Sequence, residues 1–536
     1  MLCIKGGSVY DPLNGKAGEI GDIYISNGKI VTPAPGACVI DATGLIVMPG
    51  GVDIHSHIAG PKVNVGRVIC PELNRRTPVA CTGVTRSGVG SVVPSTFVTG
   101  YRYAEMGYTY VMEAAAPPLE ARHVHEELAD IPIVDKGALI LMGNNHFVLS
   151  LIRDKDFERL KDYAAFLIKA SGGYGIKVVN PGGGANWRTR GNVGGLDDKT
   201  REYGVTPREI IDALIDVNET LGLPHAVHLH CNNLGQPTSG ETTLETMAVA
   251  EGRRLHITHM QFSAYKPAKG RPFASSAKEL AEYVNKNPNI TMDVGQIVFG
   301  PAVTMTADAP LQYSLHTLTK ERWVNKEIEM ETQSGIVPIS YRKRSYAGAI
   351  QWIAGLELFL MIENPWQISL TTDHPNGGPF TAYPWVIRLL MDRGYREEVA
   401  GTVNKRALGS SVLPELTREY TLEEIAIITR AGPAKTLGLA NKGHLGIGAD
   451  ADIAIYRPNS DFEAMFREAA YVLKGGEVVV REGEVVSEVF GKTYIPALPE
   501  GADVTEWLRP MFERFYSIAL ENYPVEEEKY MPCEVV

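Results

Sequence analysis

Cysteine is scarce in this 536-residue chain, and its six cysteines are scattered without a single Cys-x-x-Cys pair. Iron–sulfur clusters and zinc ribbons use closely spaced cysteines, so neither is expected on this chain. Disulfides are rare in reducing compartments, and a few scattered cysteines fit free thiols there. The cysteine content therefore favours a cytoplasmic protein without cross-links.

Long apolar runs and an excess of positive charge are also missing. No run of 18 apolar residues indicates a membrane span, and residues 1–5 lack the apolar stretch of a signal peptide. The formal net charge of -11 argues against nucleic acid or an anionic membrane as the main partner. The apolar share of 44% and charged share of 21% are those of an ordinary globular enzyme.

Both ends of the chain consist of short apolar strands separated by turns. Asn27-Gly28 is a hairpin signal near the start, and Gly475-Gly476 separates two apolar runs near the end. This similarity predicts one small β-sandwich built from residues 1–50 and 439–495. The remaining segment, 496–536, is acidic and aromatic, and we expect it to dock on the rest of the chain.

Between these ends, apolar strands alternate with helical patterns over residues 51–438. This alternation predicts an α/β fold, a (β/α)8 TIM-like barrel. The eight predicted strands are Ile46–Val52, Thr109–Met112, Ala138–Leu141, Gly175–Val179, Ala226–His230, His256–Met260, Ile290–Val294 and Ile368–Thr372.

Three long connections follow strands of the predicted barrel, at residues 58–107, 180–204 and 296–346. Loops after barrel strands lie on the face that carries active sites in this fold. Connections this long usually have a functional role, so they predict a deep, covered pocket.

His55 and His57 end the first predicted strand. Side chains two apart on a strand project to the same side, so both imidazoles can reach one metal ion. An isolated His-x-His pair more often consists of two structural histidines than of two metal ligands.

Other strand ends supply residues of the same chemical kind. His228 and His230 end the fifth strand, His256 and His259 bracket the sixth, and Asp373 closes the eighth. Imidazoles together with a carboxylate suit zinc or a similar divalent metal. The pattern alone leaves open which histidine of each pair is a ligand.

Lys177 lies inside the apolar fourth strand. A buried ammonium is costly unless it is neutralised or paired, and two nearby metal ions would raise that cost. A carbamate formed from this amine and CO2 removes the positive charge and offers two oxygens that can bridge two metals. The competing interpretation is a structural lysine in a salt bridge.

These ligands, in this order, resemble the binuclear amidohydrolase superfamily, which includes dihydroorotases and hydantoinases. The stretches that carry the resemblance are MPGGVDIHSH at 48–57 and GIGADADI at 446–453.

A narrower resemblance, to the amidohydrolase-type A subunits of formylmethanofuran dehydrogenase, covers nearly the whole chain. It is carried by HIAGPKVN at 57–64, PSTF at 94–97, TGYRYA at 99–104, IKVVNP at 176–181, LHCN at 229–232, DVGQ at 293–296 and MTAD at 305–308.

The resemblance implies a binuclear zinc amidohydrolase that condenses formate with the amine of methanofuran, or hydrolyses the product. Iron–sulfur subunits and a tungsten- or molybdenum-pterin subunit of the same complex would make the formate from CO2, with no pterin on this chain.

Carried over position by position, the resemblance gives six metal ligands, with Asp373 as the catalytic acid and base. They are His55, His57, carboxylated Lys177, His230, His259 and Asp373. The polar residues after His230 favour it over His228, and they make Asn232 a candidate substrate contact.

Two other functions compete with this one. A stand-alone cyclic-amide hydrolase of the hydantoinase type would need only this chain. A scaffold subunit with an inactive barrel would have lost ligands, whereas the ligand series here is intact.

Overall fold

The computed structural model describes residues 1–189, 191–325, 334–499, 503–526 and 533–536. At its centre lies a barrel of eight strands, numbered β1 to β8 in chain order. They are Gly51–Ser56, Tyr108–Ala116, Asp135–Leu141, Gly175–Val179, Val227–His230, Leu255–Ile257, Ile290–Asp293 and Ile368–Ser369.

Each barrel strand pairs in parallel with the next one in the chain, from β1 to β8. A parallel bridge between Ser56 and His374 links the segment after β8 back to β1. The barrel is therefore nearly closed, and the predicted (β/α)8 architecture is confirmed.

The predicted first strand is in fact two strands. Ile46–Pro49 belongs to another sheet, and β1 begins only at Gly51. Between them the amide of Gly50 donates to the carbonyl of Asp452, 2.8 Å away, where the chain passes from one sheet to the other. An unbroken apolar run hides such a change of sheet, because both strands are buried.

Helices surround the barrel and follow the predicted alternation. A capping box of Thr206 and Glu209 begins the helix Pro207–Thr220. The other helices of eight or more residues are Pro61–Ile69, Thr96–Glu105, Ala121–Asp130, His146–Arg153, Phe157–Ala170, Ser239–Val249, Ala277–Lys286, Ala309–Thr319, Tyr346–Met361, Tyr383–Met391, Arg393–Gly401 and Thr505–Phe515. Shorter ones are Gly183–Thr189, Lys405–Leu408, Leu422–Ala426, Gly432–Leu437 and Phe462–Arg467.

The two chain ends build one β unit with its own apolar core, as predicted. Ile453–Tyr456 pairs antiparallel with Ile46–Pro49 and so joins the C-terminal strands to the N-terminal ones. The other strands of this nine-stranded sheet are Leu2–Asp11, Lys16–Ser26, Lys29–Val31, Cys38–Asp41, Tyr471–Lys474, Glu477–Arg481 and Glu484–Val485.

Thr493–Ile495 does not belong to this sheet, although the predicted sandwich extended to residue 495. It pairs with Cys533–Val535 and, at Thr493, with Lys136 at the start of β3. Pairing partners of a short strand are set by the path of the chain, which the sequence pattern does not reveal.

The described part of the C-terminal segment packs on helices of the barrel. Phe512 and Tyr516 contact Phe147, with ring centroids 6.3 and 5.4 Å away, and Tyr523 stacks on Phe166 at 6.3 Å. These aromatic side chains bury the apolar face of the helix Thr505–Phe515.

The long connections carry additional structure above the barrel. The hairpin Tyr265–Ala268 and Arg271–Ser275 follows β6, and a three-stranded sheet of Gly300–Thr306, Val324–Asn325 and Gly335–Tyr341 follows β7. Among the described helices, none is long and apolar enough to cross a membrane.

Candidate active site

Two histidines of β1 and its following turn meet Asp373 at the mouth of the barrel. Nε2 of His55 lies 3.0 Å from Oδ1 of Asp373, and Nε2 of His57 lies 3.3 Å from the same oxygen. Asn376 donates to this oxygen at 2.9 Å. The structure thus brings Asp373 to two histidines that lie far from it in the sequence.

Lys177 is almost fully buried beneath these groups, with 1% of its surface exposed. Its Nζ lies 3.4 Å from Oγ1 of Thr258. Burial lowers the pKa of Lys177 to about 7, against the opposing attraction of Asp293 and Asp373. A large fraction of neutral amine is available at neutral pH, which is the form that reacts with CO2.

Each of the two histidine pairs, His228/His230 and His256/His259, places one ring at the cavity and the other beneath it. His230 and His259 line the cavity, and their ring centroids lie 4.8 Å apart. His228 and His256 lie beneath it, where their rings stack at 4.7 Å. Both ring nitrogens of His256 contact protein groups, Thr291 Oγ1 at 2.9 Å and Asp293 Oδ2 at 3.2 Å.

Asn232 is not among the residues that line the cavity, and its contact with a substrate stays a prediction. It is fully buried, and its amide donates to Oδ1 of Asn180 at 2.8 Å and to the carbonyl of Pro181 at 3.0 Å.

A buried ion pair at the edge of the site was not predicted. Nζ of Lys62 donates to Oε1 of Glu113 at 2.5 Å and to the carbonyl of Ala115, and Lys62 lines the cavity. Oε1 of Glu113 also lies 3.3 Å from Nδ1 of His57. Burial raises the pKa of Glu113, but Lys62 and His57 outweigh it and hold this pKa at about 2.

Two further carboxylates orient the histidines and were missed in the same way. Asp308 Oδ2 lies 3.3 Å from Nε2 of His230, and Asp293 accepts from the backbone amide of His259 at 3.0 Å. Both lie in stretches of the family resemblance, DVGQ and MTAD, as Lys62 lies in HIAGPKVN. For Lys62, Asp293 and Asp308 these motifs were the only signal in the sequence, because none of the three residues ends a predicted strand.

The cavity above these residues has a volume of about 380 Å³. The six predicted ligands lie on its floor, and most of its walls come from the segments after β6 and β7, with Lys62 from the predicted connection 58–107. No described residue of the predicted connection 180–204 lines it. The apolar wall residues include Phe262, Phe273, Leu311, Leu315, Ile339 and Tyr341.

Two features show that the donors on this floor fit a metal centre. Nδ1 of His259 is buried and has no hydrogen-bond partner among the described residues, and Nε2 of His55 faces Oδ1 of Asp373 at 3.0 Å without hydrogen-bond geometry. Ligand atoms of His55, His259 and Asp373 all lie within 4.8 Å of one another. Buried polar atoms are normally satisfied, so ring nitrogens that converge on a carboxylate in this way fit a bound metal ion.

Backbone strain occurs at two residues of the same floor. His259 has φ 35° and Asp373 has φ 49°, both in the left-handed region that side chains other than glycine rarely adopt. Strain of this kind clusters at functional sites, where the surrounding structure enforces it.

Comparison with known proteins agrees with this geometry. Residues 38–485 match the model of the amidohydrolase family. The chain belongs to the amidohydrolase family. Members of this family depend on metal ions, and the convergent imidazoles and carboxylates in the barrel are candidate metal ligands.

Two curated relatives narrow the family. The chain is 49% identical to protein FwdA of Methanocaldococcus jannaschii, over 98% of this chain and 96% of the relative. It is 40% identical to the A component of the formyltransferase/hydrolase complex Fhc of Methylorubrum extorquens, over 98% and 97% of the two chains. These relatives place it among the formylmethanofuran dehydrogenase A subunits, as the sequence motifs indicated.

A solved structure gives the same result in three dimensions. The fold matches a chain of the Methylorubrum extorquens formyltransferase/hydrolase complex bound to methylofuran, with a TM-score of 0.95 and 38% identity. The match covers 100% of this chain and 99% of the other. The barrel, the terminal sheet and the elements above the barrel are therefore shared.

Proposed function

We propose that this chain is the amidohydrolase subunit of a formylmethanofuran dehydrogenase complex. It condenses formate with the primary amine of methanofuran to give formylmethanofuran and water, and it catalyses the reverse hydrolysis. The observation that carries this proposal is the full-length match to the complex with methylofuran, together with the convergent donors on the cavity floor.

The proposed metal centre holds two zinc ions. Its ligands are His55, His57, carboxylated Lys177, His230, His259 and Asp373. Their placement on one cavity floor supports this set, and His228 and His256 are left out because they lie beneath it. When bound, two such ions polarise the reacting carbonyl and lower the pKa of water.

Asp373 is the residue best placed to move the proton. In synthesis it takes a proton from the methanofuran ammonium, so that the nitrogen lone pair can attack the carbon of formate and form the C–N bond, and it passes this proton to one formate oxygen. It then takes a second proton from the nitrogen and gives it to the same oxygen, which leaves as water when the C–O bond breaks. The contacts described for its carboxylate, to His55, His57 and Asn376, all involve Oδ1.

Lys62 supplies a fixed positive charge beside the reacting carbon. Its Nζ has three N–H groups, and Glu113 and the Ala115 carbonyl bind it from the protein side. We assign the cavity side of this ammonium to a formate oxygen in synthesis and to the formyl oxygen in hydrolysis. A donor held in place before the reaction stabilises charge that develops on that oxygen.

The walls of the cavity keep bulk water away from this chemistry. Amide formation from dilute formate is unfavourable in water, and a catalyst does not change that equilibrium, so synthesis needs formate delivered to the cavity at a high local concentration. We propose that a tungsten- or molybdenum-pterin subunit with iron–sulfur partners supplies the formate within the complex.

Substitution of Asp373 by Asn tests the role of this carboxylate. We expect both directions of the reaction to slow by at least about 10³-fold, because the amide cannot take up a proton at this position. The measurement is formate release from formylmethanofuran by the purified complex, with zinc counted per chain. Asp154→Asn, on the surface, is the matched control.

Near-normal rates in Asp373→Asn would show that this residue is not needed for catalysis.

Other assays separate the proposal from its rivals. Hydrolysis of dihydrouracil by the chain alone would favour the cyclic-amide hydrolase, and an absence of bound metal in the wild type would favour the scaffold. Co-purification of a molybdenum- or tungsten-containing subunit supports the complex.

A further inference from the structure

Three buried imidazoles form a line that leads down from the cavity floor into the barrel. Nδ1 of His55 lies 2.8 Å from Nε2 of His228, and Nδ1 of His228 lies 2.9 Å from Nε2 of His225. Nδ1 of His225 lies 2.8 Å from the carbonyl oxygen of Thr436. We call His55, His228 and His225 the histidine relay.

The last contact fixes the direction of every hydrogen bond in the relay. A carbonyl oxygen can only accept, so Nδ1 of His225 must carry a hydrogen, and in a neutral ring its Nε2 then accepts. His228 therefore donates from Nδ1 and accepts at Nε2. By the same argument His55 donates from Nδ1, which leaves the lone pair on its Nε2 facing Asp373 and the cavity.

Two neighbours of the relay agree with this assignment. Oδ2 of Asp293, a second acceptor, lies 3.4 Å from Nδ1 of His55. The ring of His256 stacks on His228 with an angle of 14° between the planes, which restrains the orientation of the middle imidazole. All three relay histidines are at most 1% exposed, so water does not compete for their nitrogens.

We propose that His228 and His225 are positioning residues, which hold His55 in the tautomer whose Nε2 binds metal. This inference rests on the metal centre of the proposed function. Groups that hydrogen-bond to a metal-binding histidine fix its tautomer and its ring orientation, and their loss typically weakens metal affinity about 10- to 100-fold. His228 thus acts on the metal through His55.

Variants of the relay test this role in the assembled complex. The measurements are zinc bound per chain, the zinc dissociation constant from competition with a chelator, and the absorption spectrum after cobalt substitution. His228→Leu removes the acceptor for His55, and we expect about 10- to 100-fold weaker zinc binding and an altered cobalt spectrum. His228→Gln offers an amide oxygen instead, and should recover most of the affinity.

His225 provides a second, independent arm of the test. His225→Leu should weaken zinc binding less than His228→Leu does. The hydrogen bond between His228 and His55 remains in this variant, but nothing then fixes which of the two rings donates. His225→Gln keeps an acceptor for His228 and should retain the affinity. If His228→Leu does not fold, this second pair decides the question.

His125→Leu is the matched control, since His125 is also fully buried and its Nε2 bonds the carbonyl of Ser171, away from the cavity. It should leave zinc affinity unchanged. Wild-type affinity in His228→Leu, or equal loss in His125→Leu, would overturn the relay. Absence of zinc from the wild type would instead refute the proposed metal centre.

Discussion

Two polar clusters in this molecule differ in how the charges of their side chains are balanced. The first, which we call the ion-pair cluster, joins the barrel to the terminal sheet. Lys442 contacts Asp135, Asp450 and Asp452, and Lys474 lies 2.6 Å from Asp135 and 2.7 Å from Asp452. Lys29 adds a third cation at 2.6 Å from Asp450, so three carboxylates face three ammonium groups.

The second cluster, on the cavity floor, is incomplete without an added cation. Its imidazoles and Asp373 converge on one space, Nδ1 of His259 has no hydrogen-bond partner among the described residues, and Lys177 lies beneath them. Asp135, Asp450 and Asp452 also lie close enough to hold an ion, but lysines already neutralise them. Proximity of carboxylates therefore does not identify a metal site by itself, and the convergence of imidazoles without nearby neutralising lysines is what distinguishes the cavity floor.

Among variants that test the difference between the two clusters, Lys177→Met should have the largest effect. We expect activity to fall at least about 10³-fold with loss of bound zinc, because the proposed metal centre would lose one of its six ligands. Compared with wild type freed of metal by a chelator, the unfolding free energy should change little, since an apolar side chain replaces a buried amine without a strong partner. The measurements are formate release, zinc content and urea denaturation.

Lys136→Met is the matched control for Lys177, since it removes another fully buried lysine from a barrel strand. Nζ of Lys136 donates to the carbonyl of Ile131 at 2.9 Å. This control should cost about 1–3 kcal/mol of stability and leave zinc and activity unchanged. Normal activity in Lys177→Met would contradict its assignment as a bridging ligand.

A smaller effect, now on stability alone, is expected from Lys442→Met in the ion-pair cluster. Removing one partner leaves buried carboxylates without enough positive charge, which typically costs about 3–5 kcal/mol. Zinc content and catalysis should stay normal, because the cluster lies apart from the cavity. Denaturant midpoints compared with wild type give the answer.

Lys29→Met is the control at the rim of the same cluster. Its side chain is 42% exposed, so solvent screens the ion pair and the cost should not exceed about 1 kcal/mol. Equal losses for Lys442→Met and Lys29→Met would show that burial does not set the strength of this cluster.

The last effect is confined to acid, and it tests the Lys62–Glu113 pair at the edge of the candidate metal site. Burial raises the pKa of Glu113, but Lys62 and His57 hold it at about 2, below its ordinary 4.5. A depressed pKa contributes stability above pH 4.5 that is lost as the pH falls toward 2. The maximum contribution is about 3 kcal/mol.

Glu113→Gln should remove this contribution, so its unfolding free energy should fall less steeply than that of wild type between pH 4.5 and 2. Denaturation curves across this range measure the difference, and Glu158→Gln on the surface is the control. Parallel pH dependences of wild type and Glu113→Gln would mean that the pair contributes no stability.

Much of the candidate site could be predicted from the sequence because barrels place catalytic groups at strand ends. His55, His57, His230, His259 and Asp373 follow this rule, and the structure brings all five to one floor. Asp293 ends its strand and Glu113 lies within one, and neither was predicted, because strand periodicity does not show which carboxylate holds a neighbour's ring.

The choice between His228 and His230 illustrates what the pattern could not decide. Residues two apart on a strand point to the same side, so both histidines face the barrel interior. His228 lies in register with Lys177 on the adjacent strand. The long lysine side chain reaches the cavity from that level, but an imidazole does not.

The sequence by itself determined the alternating barrel, the β unit of both chain ends, the family motifs and the ligand types, because these depend on local periodicity and on residue chemistry. Only the tertiary structure decided which imidazoles reach the cavity, which stand behind them, and which carboxylates are neutralised by lysines. Those outcomes depend on the stagger of neighbouring strands and on side-chain length, and both act between residues that are distant in the chain.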